Sequence, residues 1–132
     1  MCRSLIAALL LLVLAGCTLS STNELPLATP DIPRVEILFP ENNQQIVEGF
    51  DTPLDVYAQD ETSGIARIEL FVDGELLRSM SPQGAAPTLS DFRVETNWLA
   101  EGVGRHVISA IAYRLDGTES SEVAVIVEVI PR

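Results

Sequence analysis

Few side chains in this sequence could carry out a reaction. His106 is the only histidine, and Ser109 lies close to it on the same predicted strand. A hydrolytic triad also needs an acid that orients the imidazole, and neighbours on one strand rarely provide the geometry of nucleophile and base. Cys2 and Cys17, the only cysteines, both precede the folded part. Acidic pairs are abundant, but no spacing singles one out. We therefore expect no catalytic residue and a protein that is not an enzyme.

The charge of the chain is strongly acidic. Eight basic residues stand against 19 acidic ones, which gives a formal net charge of −11, and there is no lysine. A surface of this sign repels phosphate backbones, so we expect no binding to nucleic acid. It also gives no basic attraction to anionic lipid, so membrane attachment must come from something other than the charge of the folded domain.

The first 17 residues, MCRSLIAALLLLVLAGC, have the three-part layout of an export signal. Arg3 is followed by an apolar run over 5–14 and by small residues, and this run is shorter than the about 20 residues of a membrane span. The ending LAGC resembles the lipobox of bacterial lipoproteins. The resemblance implies cleavage of residues 1–16 and lipidation of Cys17. An ordinary secretory leader with an incidental cysteine is the alternative.

Lipidation of Cys17 would anchor the domain to a membrane on the outside of the cytoplasm, because two or three acyl chains hold a protein firmly. Thr18 is not aspartate, which by the same resemblance favours the outer membrane in a cell with two membranes. The sequence leaves open whether the cell membrane or an outer membrane is used. Residues 17–33 are rich in Ser, Thr and Pro without an apolar period, and this composition predicts a flexible tether.

From residue 34 onwards apolar and polar residues alternate with the period of half-buried antiparallel strands. The alternating runs are RVEILF, LDVYAQ, RIELFV, DFRVETNW, RHVISAIAY and SEVAVIVEV. Asp73-Gly74 and Asp116-Gly117 are strong turn signals, and no helical period follows the leader. The sequence predicts one all-β domain over 34–132, an antiparallel β-sandwich of about seven strands that no disulfide can stabilise.

Three stretches resemble the bacterial immunoglobulin-like (Big-type) domain and together cover about 34–129. They are VEILFPENNQQIVEG, LDVYAQDETSGIARIELFVDGELL and NWLAEGVGRHVISAIAYRLDGTESSEVAVIVEV. The resemblance implies an immunoglobulin-like fold. It does not choose a function, because such domains serve as adhesion modules, spacers, docking modules and accessory parts of surface enzymes. Arg114 departs from the group, which usually places an aspartate there.

Acidic residues fall in two loops that share one end of an immunoglobulin-like sandwich. Calcium takes six to eight oxygen ligands, often from such loops. The sequence lacks a D-x-D-x-D-G array, and solvated acidic loops explain the pattern as well. We expect no cofactor, with calcium as the open alternative. The candidate ligands are Asp60, Glu61, Asp116 and Glu119.

An apolar outer face is the strongest candidate for a binding site. In the immunoglobulin topology the strands RIELFV, RHVISAIAY and SEVAVIVEV share a sheet. A contiguous apolar patch on a soluble domain usually marks a protein partner, although a wrong register or a covering segment would remove it. Alternation places Trp98 in the core and leaves Tyr57 as a weaker carbohydrate candidate. The outward apolar residues are Phe71, Val107, Ile111, Tyr113 and Ile126.

These features predict a lipid-anchored, extracytoplasmic, non-catalytic immunoglobulin-like module that binds an envelope or extracellular protein. A carbohydrate-binding or calcium-dependent adhesive module at the cell surface is the alternative. A passive spacer is a third reading, for which a single short domain is poorly suited.

Overall fold

The computed structural model describes residues 26–132, so the predicted signal, Cys17 and the first part of the predicted tether lie outside the described residues. The all-β prediction is confirmed: within 26–132 every regular element is a strand, and no helix able to cross a membrane occurs there. The strands are β1 (Arg34–Phe39), β2 (Gln44–Val47), β3 (Asp51–Gln59), β4 (Arg67–Val72), β5 (Glu75–Met80), β6 (Asp91–Leu99), β7 (Gly104–Tyr113) and β8 (Val123–Ile130).

The strands form the two sheets of a sandwich. One sheet has three strands in the order β1-β3-β6, and the other has five in the order β2-β8-β7-β4-β5. All neighbours are antiparallel except β2, which runs parallel to β8. The sequence did not single out β2, because its four residues are too few to show a period.

The Asp73-Gly74 hairpin forms as predicted. Asp73 and Gly74 have φ values of 51° and 82°, and Val72 pairs directly with Glu75 across this two-residue turn. Positive φ at both positions is the geometry that matches the twist of the flanking strands. The other predicted hairpin signal, Asp116-Gly117, lies in a longer connection between β7 and β8, in which only the glycine has a positive φ.

The core lies between the sheets and is formed by the inward residues of both. Trp98 is 8% exposed, as the alternation predicted. Within 26–132 the core cluster draws on both sheets, and a segment of this length can bury a core of its own. The largest of the fully buried side chains are Leu54, Val56, Ile65, Ile68, Leu70, Ile108, Val127 and Val129.

The two ends of the sandwich are distinct. At one end Asp31, just before β1, contacts Thr62 and Arg114. At the other end the chain around Gly49 bonds to Ala100. The nine residues of β3 connect these ends, which separates them by about 30 Å at the usual rise of a strand.

Candidate functional site: the outer face of the five-stranded sheet

Three neighbouring strands, β4, β7 and β8, form the middle of the outer face of the five-stranded sheet. The even-numbered residues of β7 over 108–112 are fully buried between the sheets, so the odd-numbered residues point outwards. The register then places Phe71 of β4 opposite Ser109 and Ile126 of β8 opposite Val107. Residues opposite each other in an antiparallel pair share a face.

The apolar residues singled out from the sequence all lie on this one face. Ile111 is opposite Glu69, and Tyr113 is opposite Arg67. Val107 is 41% exposed, and the other four are half-buried. The structure therefore brings the five together, while their role in binding stays a prediction. They are Phe71, Val107, Ile111, Tyr113 and Ile126, and we call them the sheet-face patch.

Ser109 lies at the centre of the sheet-face patch, although the sequence did not include it. It points outwards yet is only 4% exposed. The larger side chains of Val107 and Ile111 flank it along β7, and Phe71 flanks it across the sheet. The register therefore places apolar side chains beside Ser109 both along β7 and across to β4.

Leu76 extends the patch and was missed. It pairs with Phe71 across β4 and β5 and is 57% exposed. The sequence held a signal for it, because a two-residue turn at Asp73-Gly74 makes this pair the second one of the hairpin. A register irregularity between Leu70 and Phe71 then turns the next β5 residues, so that Leu77 packs against the core.

A small polar network borders the patch at Tyr113. The Arg67 guanidinium lies 3.8 Å from the centre of the Tyr113 ring, and Arg67 Nε donates to Glu69 Oε1 at 3.0 Å. A cation over an aromatic ring is attracted by its quadrupole. Burial, followed by a hydrogen bond with Glu69, raises the pKa of the Tyr113 hydroxyl. These contacts hold the Tyr113 side chain in place at the edge of the sheet-face patch.

Asp60, one of the calcium candidates, is held in a buried ion pair. Arg114 donates from Nε to Asp60 Oδ2 at 2.6 Å and from Nη2 to Oδ1 at 3.0 Å. The two side chains are 8% and 3% exposed. The hydrogen bond from Arg114 holds the pKa of Asp60 below its ordinary value. Arg114, where the resemblance led us to expect an aspartate, is thus the partner of this buried acid.

Asp31 joins the same pair from the segment that precedes β1. Its Oδ1 accepts from Arg114 Nη2 at 2.8 Å and from the Thr62 hydroxyl at 3.0 Å. These bonds, the one from Arg114 first, lower the pKa of Asp31. The last part of the predicted 17–33 tether therefore contacts the domain, whereas the division of the chain at residues 16 and 33 stays a prediction.

The structure does not gather the four calcium candidates into one site. Both carboxylate oxygens of Asp60 accept from Arg114, and Asp116 Oδ1 accepts from the Thr118 amide at 2.9 Å. Glu61 and Glu119 are exposed. Across residues 26–132 no group of three or more His, Cys, Asp or Glu side chains could hold a metal ion. The buried Asp60 carboxylate is already paired with a cation, the Arg114 guanidinium, because an unpaired buried charge is costly.

His106 takes part in a structural contact at the end opposite Asp31. Its Nδ1 lies 2.7 Å from Asp73 Oδ2, and its Nε2 lies 2.6 Å from the Gly102 carbonyl oxygen. The ring also packs against Trp98, with centroids 5.5 Å apart. Ser109 is three residues further along β7, which puts it on the opposite face of the sheet. The two residues cannot act together as nucleophile and base.

The carbohydrate candidates are also engaged within the fold. Trp98 is buried in the core, and the Tyr57 hydroxyl donates to Asp91 Oδ1 at 2.6 Å. That bond raises the pKa of Tyr57. Sugar-binding sites of the stacking type need an aromatic face open to solvent, and the buried Trp98 does not offer one.

Comparison with known proteins identifies the family. The family model of the bacterial Ig domain matches residues 33–110, so this chain belongs to the bacterial Ig domain family. A search of curated proteins found no match.

Solved structures show the same sandwich. The chain is similar to the fibronectin(III)-like modules of CbhA from Clostridium thermocellum, with 28% identity and a TM-score of 0.60 over 74% of this chain and 98% of that one. It also resembles the CARDB domain of the PF1109 protein from Pyrococcus furiosus, with 14% identity, a TM-score of 0.54 and coverage of 80% and 100%. A point mutant of the SrpA adhesin from Streptococcus sanguinis gives 13% identity, a TM-score of 0.56 and coverage of 80% and 61%. The last two likenesses are of fold alone.

Proposed function

We propose that this chain is a lipid-anchored, extracytoplasmic, non-catalytic module that binds a protein partner through the sheet-face patch. The observation that supports the proposal most is the pairing of the patch residues across neighbouring strands. On this face Leu76 lies opposite Phe71, Phe71 lies opposite the nearly covered Ser109, and Ile126 lies opposite Val107. An apolar surface of this kind loses contact with water when a partner covers it, and burial of apolar area drives association.

The charge of the domain narrows the chemistry of the partner. The net charge of −11 over the whole chain favours a partner whose apolar surface is bordered by basic side chains, and it disfavours acidic proteins, because like charges across an interface are costly. The same charge repels anionic lipid headgroups. We therefore favour a protein over a membrane surface as the occupant of the patch.

The position of Asp31 supports a lateral neighbour. With an anchor at Cys17, the end of the sandwich that contains Asp31, Thr62 and Arg114 faces the membrane. The strands then point away from the membrane and the sheet-face patch lies on a side of the domain. A partner in the same envelope layer can reach that side without competing with the anchor.

The absence of catalysis is part of the proposal. The imidazole nitrogens of His106 are both directed at acceptors within the fold, and Ser109 is on the other face. Fibronectin(III)-like and Ig-type modules share this architecture, and function on such a fold comes from grafted sites rather than from the sandwich itself.

Two substitutions of matched exposure test the binding surface. Val107 lies in the patch and is 41% exposed, and Leu38 lies on β1 of the other sheet and is 40% exposed. We expect Val107→Asp to abolish co-purification of the partner from membranes of the native cell, and Leu38→Asp to preserve it. Equal retention of the partner by both variants would rule out the sheet-face patch.

Anchoring is tested separately. Cys17→Ala removes the thiol that would carry lipid. We expect this variant to move from the membrane fraction to the soluble extracytoplasmic fraction while its domain keeps the unfolding transition of the wild type. A Cys17→Ala protein that stays in the membrane fraction after a high-salt wash would refute lipid anchoring and leave the binding surface unaffected.

A further inference from the structure

The edge of the three-stranded sheet offers a second interaction surface. Strand β6 is the last strand of that sheet and pairs with β3 along its whole length, from Asp91 opposite Gln59 to Leu99 opposite Asp51. In the described part of the chain no backbone hydrogen bond reaches the far side of β6. An edge of this kind is a template for another strand.

The direction of the backbone groups of β6 follows from the bonds at its two ends. The Asp60 amide donates to the Ser90 carbonyl at 2.8 Å, and the Ala100 amide donates to the Phe50 carbonyl at 3.0 Å. Both bonds join even-numbered residues, and hydrogen-bonded pairs alternate along an antiparallel ladder. The even-numbered residues of β6 therefore bond to β3, and the odd-numbered ones direct their N–H and C=O groups to the open edge.

The other edges are less suited to accept a strand. β1 has six residues and a register break between Ile37 and Phe39. β5 also has six residues, and its pairing with β4 is broken between Leu70 and Phe71. β2 has only four residues. β6 has nine residues in unbroken register and contains no proline, which would remove an N–H group from the ladder.

The side chains along the open edge are complementary to themselves, and three of them also bond to β3 of their own chain: Asp91 to Tyr57, Arg93 to Asp55 and Asn97 to Asp51. The outward row is Asp91, Arg93, Glu95 and Asn97, all exposed. In an antiparallel pair of two β6 strands centred on Val94, Arg93 lies opposite Glu95 of the second copy, and Asp91 lies opposite Asn97 of the second copy. Centring on Arg93 or on Glu95 instead sets two like charges against each other, which is destabilising.

We propose that a second copy of this chain pairs with β6 in antiparallel register centred on Val94. The two three-stranded sheets then form one six-stranded sheet related by a two-fold axis, the commonest symmetry of soluble dimers. Opposite charges meet in the two hydrogen-bonded pairs of Arg93 with Glu95. The segments that contain Asp31 emerge at opposite ends of the pair, so the orientation with that end towards the membrane applies to the single domain and not to both copies of the pair. This inference uses the sheet edge and does not rest on the sheet-face patch or on lipid anchoring.

Amide hydrogen exchange measured by NMR on residues 26–132 tests the register, because this segment contains the core cluster of both sheets. Samples range from about 10 μM to about 1 mM, where contacts of limited area begin to associate. At the higher concentration we expect exchange of the Arg93, Glu95 and Asn97 amides to slow at least about tenfold. The Val94 and Thr96 amides bond to β3 and serve as internal controls with no change. Exchange that is independent of concentration at the odd-numbered residues would overturn the proposal.

The second test exchanges the charges of Glu95 and Arg93 by substitution. The molecular mass in solution is then measured by analytical ultracentrifugation. Glu95 is 75% exposed on its side chain, so Glu95→Arg should leave the fold intact while it places arginine opposite arginine. We expect this variant to be a monomer at every concentration, and Arg93→Glu added to it to restore the dimer. A wild-type monomer throughout, or a Glu95→Arg variant as dimeric as the wild type, would overturn the proposal. Val107→Asp should dimerise normally, which separates this inference from the proposed function.

Discussion

The single histidine leads to a prediction about pH. Both ring nitrogens of His106 face acceptors, the Asp73 carboxylate and the Gly102 carbonyl, and only the imidazolium form can donate from both nitrogens. Burial by itself lowers the pKa of His106. The bonds to Gly102 and Asp73 and the charge of Asp73 outweigh burial, so the pKa lies above its ordinary value.

The sign of the effect on stability follows from proton binding. Because the folded protein binds the His106 proton more tightly than the unfolded chain, this stabilisation is complete below about pH 6.5 and disappears as the pH rises through the folded pKa. Between about pH 6.5 and the folded pKa of His106, the free energy of unfolding falls by at most about 1.4 kcal/mol per pH unit.

Protonation of Asp73 sets the lowest pH at which its contact with His106 stabilises the fold. Burial raises the pKa of Asp73, but hydrogen bonds from the Val107 amide and from His106 outweigh burial and hold that pKa below its ordinary value. The stabilisation from Asp73 is therefore present above about pH 3.8 and is lost as the pH falls through the folded pKa. The contact between His106 and Asp73 therefore stabilises the folded state fully between about pH 4 and pH 6.5.

Two measurements check this prediction. The C2 proton of the only imidazole gives the pKa directly by NMR titration. Urea unfolding followed by the fluorescence of Trp98, which packs against His106, gives the stability at about pH 6 and pH 8. We expect a pKa above 6.5 and lower stability at the higher pH, and a flatter profile for His106→Gln. A pKa at or below 6.5 would refute the assignment of the imidazolium.

Two further substitutions and one ligand test the acidic end of the sandwich. We expect Arg114→Met to destabilise the fold far more than Asp31→Asn, because an uncompensated buried carboxylate at Asp60 costs about 3–5 kcal/mol; urea unfolding checks this, and equal effects would contradict it. Adding Asp60→Asn to Arg114→Met should recover part of the loss, since the buried charge is gone; no recovery would place the effect elsewhere. We expect calcium and a chelator to leave the melting temperature unchanged, because Asp60 already has a cation; a rise of several degrees with calcium in differential scanning calorimetry would contradict this.

The sandwich could be predicted from the sequence because alternation and turn chemistry are local signals. Alternation identified the inward and outward residues of β7, and the Asp73-Gly74 turn formed where two residues with positive φ were expected. The short β2 was missed because its parallel pairing with β8 depends on residues more than 80 positions away in the chain. No local period indicates such a pairing.

The ion pairs that Arg114 forms with Asp60 and Asp31 could not be predicted from the sequence for a similar reason. Arg114 appeared only as a departure from the resemblance, and Asp60 as one acidic loop residue among several. Their pairing spans 54 positions, and Asp31 joins from 83 positions away. Leu76 was missed although its signal was local, since the register of the hairpin was not followed beyond the turn.

Site-specific photocross-linking in the native cell tests whether the sheet-face patch contacts a partner protein. A photoreactive residue is placed at Ile111 in the patch and, as the control, at Leu38 on the other sheet. We expect one discrete adduct from position 111 that contains a second protein, and none from position 38. No adduct from position 111, or the same adducts from both positions, would contradict binding through this face.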